Sequence, residues 1–324
     1  MRIPQLRRLC IFAFVCMSLV SIAPGQNNSG KFIVGVLQES GEIIPFARYD
    51  GARWVNTWPA PTEPSKNSVP SVAPVPREWL GETPPTEWRL WLSNGTTHEI
   101  RVTGSAYLKN PCGDKWVLNT DFPKALNQRP NTCPVRAIGI VLSTDQEVLP
   151  MLPADHSQLA FGGFEKAAGA AEIREMRESN AERARLIARR LPAAGLPWDL
   201  AAPSRLPMRV EHAFAAQRES GEVISYVEAN RRFDDESDPG CSRYSAFRGW
   251  TSRDVSRNDA ILSITVHLTD CDFKEAAFTT PIALLELKEG TFAIAQVNGW
   301  ESQSYAILKI GPAEVTTVLD SPVR

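Results

Sequence analysis

Apolar and polar residues alternate over several short stretches of this chain and take helical spacing over one. In residues 31–50, KFIVGVLQESGEIIPFARYD, the strand formers Phe32-Ile33-Val34 and Ile43-Ile44 flank the turn sequence Glu39-Ser40-Gly41, which predicts a β-hairpin. Asp50-Gly51 marks a second turn before Trp54 and Trp58. Residues 88–103, WRLWLSNGTTHEIRVT, predict another hairpin. There Trp88, Leu90 and Leu92 alternate with Arg89 and Trp91, and Asn94-Gly95 suits a tight turn with positive φ at both residues. Ala137 to Leu142 reads as one more short strand. After Pro207, strand patterns recur over 208–216, 222–229, 260–268, 281–287, 292–297 and 305–310, punctuated by Glu219-Ser220-Gly221, Gly290 and Asn298-Gly299. Their close spacing indicates an antiparallel meander rather than βαβ units.

Residues 164–191 change period. Ile173, Met176, Asn180, Ala184, Ile187 and Leu191 recur at helical spacing, while Arg174/Glu178 and Glu182/Arg185 fall on neighbouring turns of a charged face. The expectation is one long amphipathic helix packed on a sheet. The fold class is therefore α+β, mainly β, with antiparallel sheets and that one helix. QESGEII (38–44) and RESGEVI (218–224) echo one another at two hairpin turns, through a duplicated β unit or through shared turn chemistry.

Two segments stand apart from these patterns. Residues 59–85 carry eight prolines, which fix φ and remove backbone donors, so this stretch is an extended connector and not a helix or central strand. The N-terminus places Arg2, Arg7 and Arg8 before the apolar run Leu9–Ala23, with Ala23 and Gly25 as small residues before Gln26. That is the layout of a signal peptide, and the run is short for a membrane span. The expected organisation is a signal peptide at 1–26, a hairpin segment at 27–58, the connector at 59–87 and a β-rich body at 88–324. The expected location is secreted or periplasmic.

Removing the leader changes the charge and the cysteine count. Arg2, Arg7 and Arg8 leave, taking Lys+Arg from 35 to 32 against 37 Asp+Glu, a formal −5. Such a chain does not suit a phosphate backbone or an anionic lipid surface, so neither nucleic acid nor membrane is an expected partner. Cys10 and Cys16 also leave, and Cys112, Cys133, Cys241 and Cys271 remain. An even number in an exported protein reads as two disulfides. Three pairings are open; Cys112–Cys133 with Cys241–Cys271 closes the shortest loops, each worth about 3–4 kcal/mol in the chain-entropy model. No C-x-x-C or H-x₃-H spacing supports zinc instead.

GVLQESGEIIPFARYDGARWVNTWP (35–59) and EGTFAIAQVNGWESQSYAILKI (289–310) resemble segments of uncharacterised secreted bacterial proteins that carry a Tyr-Asp-Gly…Trp motif after a hairpin and a Trp-Glu…Tyr motif on a late strand. The matching residues are Tyr49, Asp50, Gly51, Trp54, Trp300, Glu301 and Tyr305. The resemblance implies a secreted β-rich protein and transfers no catalytic residue.

Candidate chemistry is sparse. The sequence has no G-x-S-x-G, no H-E-x-x-H, no P-loop and no G-x-G-x-x-G opening a helix, so no catalytic residue is assigned. His212 and His267 read as packed or half-exposed strand residues. Asp234, Asp235, Glu236 and Asp238 precede Cys241, and Asp270 and Asp272 flank Cys271. A Cys241–Cys271 bridge would crowd these carboxylates, to be balanced by calcium or by Arg231, Arg232, Arg243 and Arg248. Tryptophans concentrate near the connector, and Trp54, Trp58 and Trp91 are the candidate contacts for an extracellular glycan or protein, Trp91 as the outward-facing one. The leading functional expectation is a non-enzymatic extracytoplasmic binding or structural protein. The alternative is a secreted hydrolase that uses two carboxylates, with calcium support.

Overall fold

The computed structural model describes residues 30–56, 86–108, 115–123, 137–144, 146–155, 159–189, 206–233, 243–269, 277–299 and 302–322. The leader, nearly all of the proline-rich connector, the four remaining cysteines and the six acids of the expected calcium cluster lie outside these residues.

The first seven strands are β1 (Phe32–Gln38), β2 (Glu42–Tyr49), β3 (Trp54–Val55), β4 (Glu87–Leu92), β5 (Thr97–Leu108), β6 (Lys115–Thr120) and β7 (Ala137–Leu142). Every pairing among them is antiparallel. They pair in the order β1-β7-β4-β5-β6-β2, and β2 returns to β1, so six strands close into a barrel with β3 added beside β2. Closure leaves those six strands no free edge along the ring. The N-terminal hairpin is thus built into the barrel rather than split off by the connector: β1 pairs with β7, and β2 pairs with β6. Ile33, Leu37, Ile43, Trp88, Leu90, Ile100, Leu118 and Val141 fill the interior.

Residues 148–153 leave the barrel as two short strands, β8 (Val148–Pro150) and β9 (Leu152–Pro153), separated by buried Met151. β8 edges a central sheet formed with β14 (Phe278–Leu287), β15 (Gly290–Asn298), β16 (Gln303–Ile310) and β17 (Val315–Pro322). β9 edges an outer sheet formed with β10 (Arg209–Gln217), β11 (Val223–Arg232), β12 (Tyr244–Arg253) and β13 (Asp259–Thr269). Each sheet is the antiparallel meander expected from the strand spacing. The barrel packs on one face of the central sheet through Phe32, Val34, Phe46, Ile294, Tyr305 and Ile307. The outer sheet packs on the other through Met151, Ile224, Tyr226, Trp250, Leu284 and Ala293.

A single helix among the described residues, α1 (Phe161–Ala188), covers the far face of the outer sheet. Its buried stripe is Phe164, Ala168, Ala171, Glu172, Met176 and Ser179. Only Met176 belongs to the stripe expected from the sequence; Ile173 and Ile187 are exposed. Small alanines let the helix lie close to the strands, and Gly249 leaves room for the Phe164 ring, since a Cβ there would sit 2.8 Å from Cε2. Arg231 Nη1 meets Glu172 Oε2 at 2.7 Å, so the buried glutamate of the stripe is paired with a strand cation. No helix of the described residues is long and apolar enough to cross a membrane.

The hairpin turns share one design. Gly41, Gly95 and Gly221 adopt positive φ, and each donates its N–H to the carbonyl three residues earlier, at Gln38, Leu92 and Arg218. Asn94 does not share the positive φ of Gly95, so this is not the tight two-residue turn expected at Asn94-Gly95. The pattern recurs at Arg257 (φ 65°), which donates to Asp254 in a hairpin with no sequence echo of the others. The hairpins of QESGEII and RESGEVI share this turn and lie in different sheets.

Arg257 is exposed and pays the steric cost of a side chain in left-handed backbone. Arg257→Gly should raise stability by about 1 kcal/mol or slightly less, because the relief is partly offset by greater freedom of the unfolded chain. A shift of the urea midpoint at unchanged slope measures it; a destabilised variant would contradict the strain.

Candidate ligand-binding cleft

Alternation along β11 sends Val227, Ala229 and Arg231 toward α1, and Ile224, Tyr226 and Glu228 toward the central sheet. On β12, Phe247 faces the helix while Trp250 faces the central sheet. The register sets Tyr226 directly opposite Trp250 and Glu228 directly opposite Arg248. Two cross-strand pairs, one aromatic and one charged, therefore stand side by side on the inner face of the sandwich.

The Tyr226 and Trp250 rings lie 5.1 Å apart with a 55° tilt, and both are buried. Glu228 is also buried, and its Oε1 accepts hydrogen bonds from the Tyr226 hydroxyl (2.9 Å) and the Thr279 backbone N–H (2.8 Å). The second bond ties the outer sheet to the start of β14. Arg248 Nε lies 3.6 Å from the same oxygen, and its guanidinium sits 6.0 Å from the Phe278 ring centre. Burial pushes the Tyr226 phenol well above its usual value, and the Glu228 charge acts in the same direction. On β13, half-buried His267 is held below the usual histidine value, first by burial and then by the Arg248 charge.

Beyond these pairs the two sheets part. A cleft of about 380 Å³ runs between them. Tyr226, Trp250, Leu308 and Val315 give it apolar surface; Ser263, Thr265, Ser304 and Thr317 line it with hydroxyls; Arg248 and Asp320 add charge. Asn56 donates to the Asp320 carbonyl at 2.9 Å, so the segment after β3 reaches the strand that bounds this cleft. A second hollow, of about 410 Å³, lies beside β8 and includes Arg218. That cation is already committed to Glu222 at 2.7 Å and Glu286 at 2.8 Å.

The tryptophans singled out from the sequence do not form a platform among the described residues. Trp91 is only 6% exposed and belongs to the core between the barrel and the central sheet, which corrects its expected outward orientation. Trp54 packs against Phe32, Tyr49 and Phe292, with ring centres 5.0–5.8 Å away. Trp58, Asp234, Asp235, Glu236, Asp238, Asp270 and Asp272, with Cys112, Cys133, Cys241 and Cys271, lie outside the described residues. Among the described residues no group of three or more His, Cys, Asp or Glu is arranged to hold a metal ion. His212 is exposed on β10, and His267 is the half-buried strand residue expected. Sequence reasoning missed Arg248 and Trp250 as cleft residues because no strand was assigned to 244–253. Their spacing, Arg-x-Trp opposite Tyr-x-Glu, was the available signal.

No family model, curated protein or solved structure matches this chain.

The lowered His267 value gives a pH dependence of definite sign. The folded state binds the His267 proton less well than the unfolded chain, so this residue's contribution is present above about pH 6.5 and is lost as pH falls through the folded value. NMR titration should place the His267 midpoint below 6.5, and His267→Asn should shallow the loss of stability from pH 7 to 5. A midpoint at or above 6.5 would refute the assignment.

Proposed function

We propose that the protein is an exported, non-enzymatic binding protein that takes a glycan in the cleft between its central and outer sheets. Export is inferred from the N-terminal leader and the even count of mature cysteines. The observation that carries the binding reading is the cleft itself: apolar lining from Tyr226, Trp250, Leu308 and Val315 beside five serine and threonine side chains and one guanidinium. A sugar ring has an apolar C–H face and a polar rim, and this lining offers a surface to each. The volume lies in the range of small-molecule sites, about 300–1,000 Å³. The buried carboxylate, Glu228, has an oxygen engaged by two donors and a facing cation, and its role is to hold the two sheets and Arg248 in place.

Tryptophan fluorescence across a panel of neutral and acidic glycans tests this reading. At least one panel member should change the emission in a saturable way, with the Trp250 signal removed in Trp250→Phe. Thr265→Trp and Thr317→Trp, at exposed cleft positions, should weaken that binding at least tenfold while leaving thermal unfolding nearly unchanged. A flat response across the panel, or binding unaffected by both substitutions, would remove the proposal.

A further inference from the structure

We infer that the ligand of this cleft carries a single carboxylate, as a uronic-acid sugar does, and presents it to the outer edge of Arg248; this inference rests on the cleft being a binding site. Arg248 has a side-chain exposure of 14% and stands directly opposite Glu228. Their closest approach, Nε to Oε1, is 3.6 Å, too long for a hydrogen bond. That oxygen already takes the Tyr226 hydroxyl and the Thr279 N–H. A guanidinium carries five donors, so Arg248 keeps its terminal nitrogens without a protein hydrogen bond among the described residues, beside a cleft that it lines.

The shape and charge of the site narrow what completes this group. The planar fork of Arg matches the two oxygens of a carboxylate in a bidentate pair, which a single hydroxyl does not satisfy. Phe278 lies under the guanidinium, a position that favours a fixed ring-to-plane geometry over a freely swinging head. Glu228 already offsets the Arg248 charge, and Asp320 adds a negative charge to the same cleft. A doubly charged phosphate ester meets the Glu228 and Asp320 charges about twice as strongly as a single carboxylate held on the far edge of Arg248, so the site favours the lower charge. The remaining ligand surface faces Ser263, Thr265, Ser304 and Thr317, which suits ring hydroxyls and not a plain aliphatic acid. Together these features select a hydroxylated monocarboxylate.

Calorimetric titration of the full-length mature protein with galacturonate and with a disaccharide carrying one glucuronate, each beside its neutral methyl ester, tests the assignment. At least one acid should bind at least tenfold more tightly than its ester, and more weakly as salt rises. Arg248→Lys keeps the charge but loses the fork; it should weaken acid binding about tenfold more than it weakens ester binding and unfold at nearly the wild-type temperature. Equal binding of acid and ester, or an Arg248→Lys variant that binds the acid as well as wild type, overturns the carboxylate assignment and leaves the cleft as a neutral-glycan site. Absence of binding by both acids also overturns it, and the binding reading is then decided by the neutral members of the wider panel.

Discussion

The middle strands of the central sheet are buried on both faces, and the arrangement of every other layer follows from that constraint. β15 shows it best: Thr291, Phe292, Ala293, Ile294, Ala295 and Gln296 are all buried. Phe292 and Ile294 pack toward the barrel, while Ala293 packs toward the outer sheet. A sheet of this kind cannot be soluble alone, so it needs two covers. The barrel supplies one and the outer sheet the other. The outer sheet then has its own second face to protect, and α1 closes the stack there. One polar group caught inside joins central sheet to barrel: Gln296 Oε1 accepts the Ala137 N–H at the start of β7 at 3.0 Å. An unpaired buried amide at that strand end would cost about 1–3 kcal/mol.

This layering explains which elements were legible in the sequence. The hairpins of β1–β2, β4–β5, β10–β11 and β14–β15 announce themselves through Gly turns between strand formers, a local signal. Strict alternation fails where both faces are covered: all seven residues of β1 are buried, which the sequence expresses as a continuous apolar run. β12 escaped because Ser245, Arg248, Gly249, Thr251 and Ser252 interrupt its hydrophobic pattern. Two of these have a structural reason: Gly249 makes room for Phe164, and Arg248 faces Glu228. The helix was found, but its face was displaced because branched aliphatics were weighted above Phe164, Ala168 and Ala171. On a tightly packed sheet, small residues mark the contact face as well as large ones.

The cleft was less legible because it depends on register between distant strands. Tyr226 and Glu228 lie in a stretch recognised as a strand, yet nothing local says that Glu228 will face Arg248 or receive the Thr279 N–H from another sheet. Barrel closure has the same character: β1 pairs with β7 about a hundred residues later. Local composition pointed to the dense tryptophans near the connector. Tertiary packing put Trp88 and Trp91 into cores on opposite sides of the barrel wall, and gave the cleft Trp250.

The position of the cleft follows from how the two C-terminal sheets are joined. At one edge, residues 148–153 belong to both, with Met151 buried between β8 and β9, so the sheets are stitched together there. At the other edge, β13 and β17 are the last strands of their sheets. Twisted sheets packed face to face diverge away from the line where they are held. Ser263, Thr265 and Thr317, on those two strands, are too short to refill the widening gap. The Glu228–Arg248 pair stands where the closed core gives way to this opening. For stability alone, two aliphatic residues facing each other there would serve as well, because desolvating an ion pair offsets much of its attraction. A buried carboxylate that is fastened by Tyr226 and by Thr279 of the other sheet, while its cation spends no protein hydrogen bond on it, acts as a mount for the cation as well as a tie between the sheets.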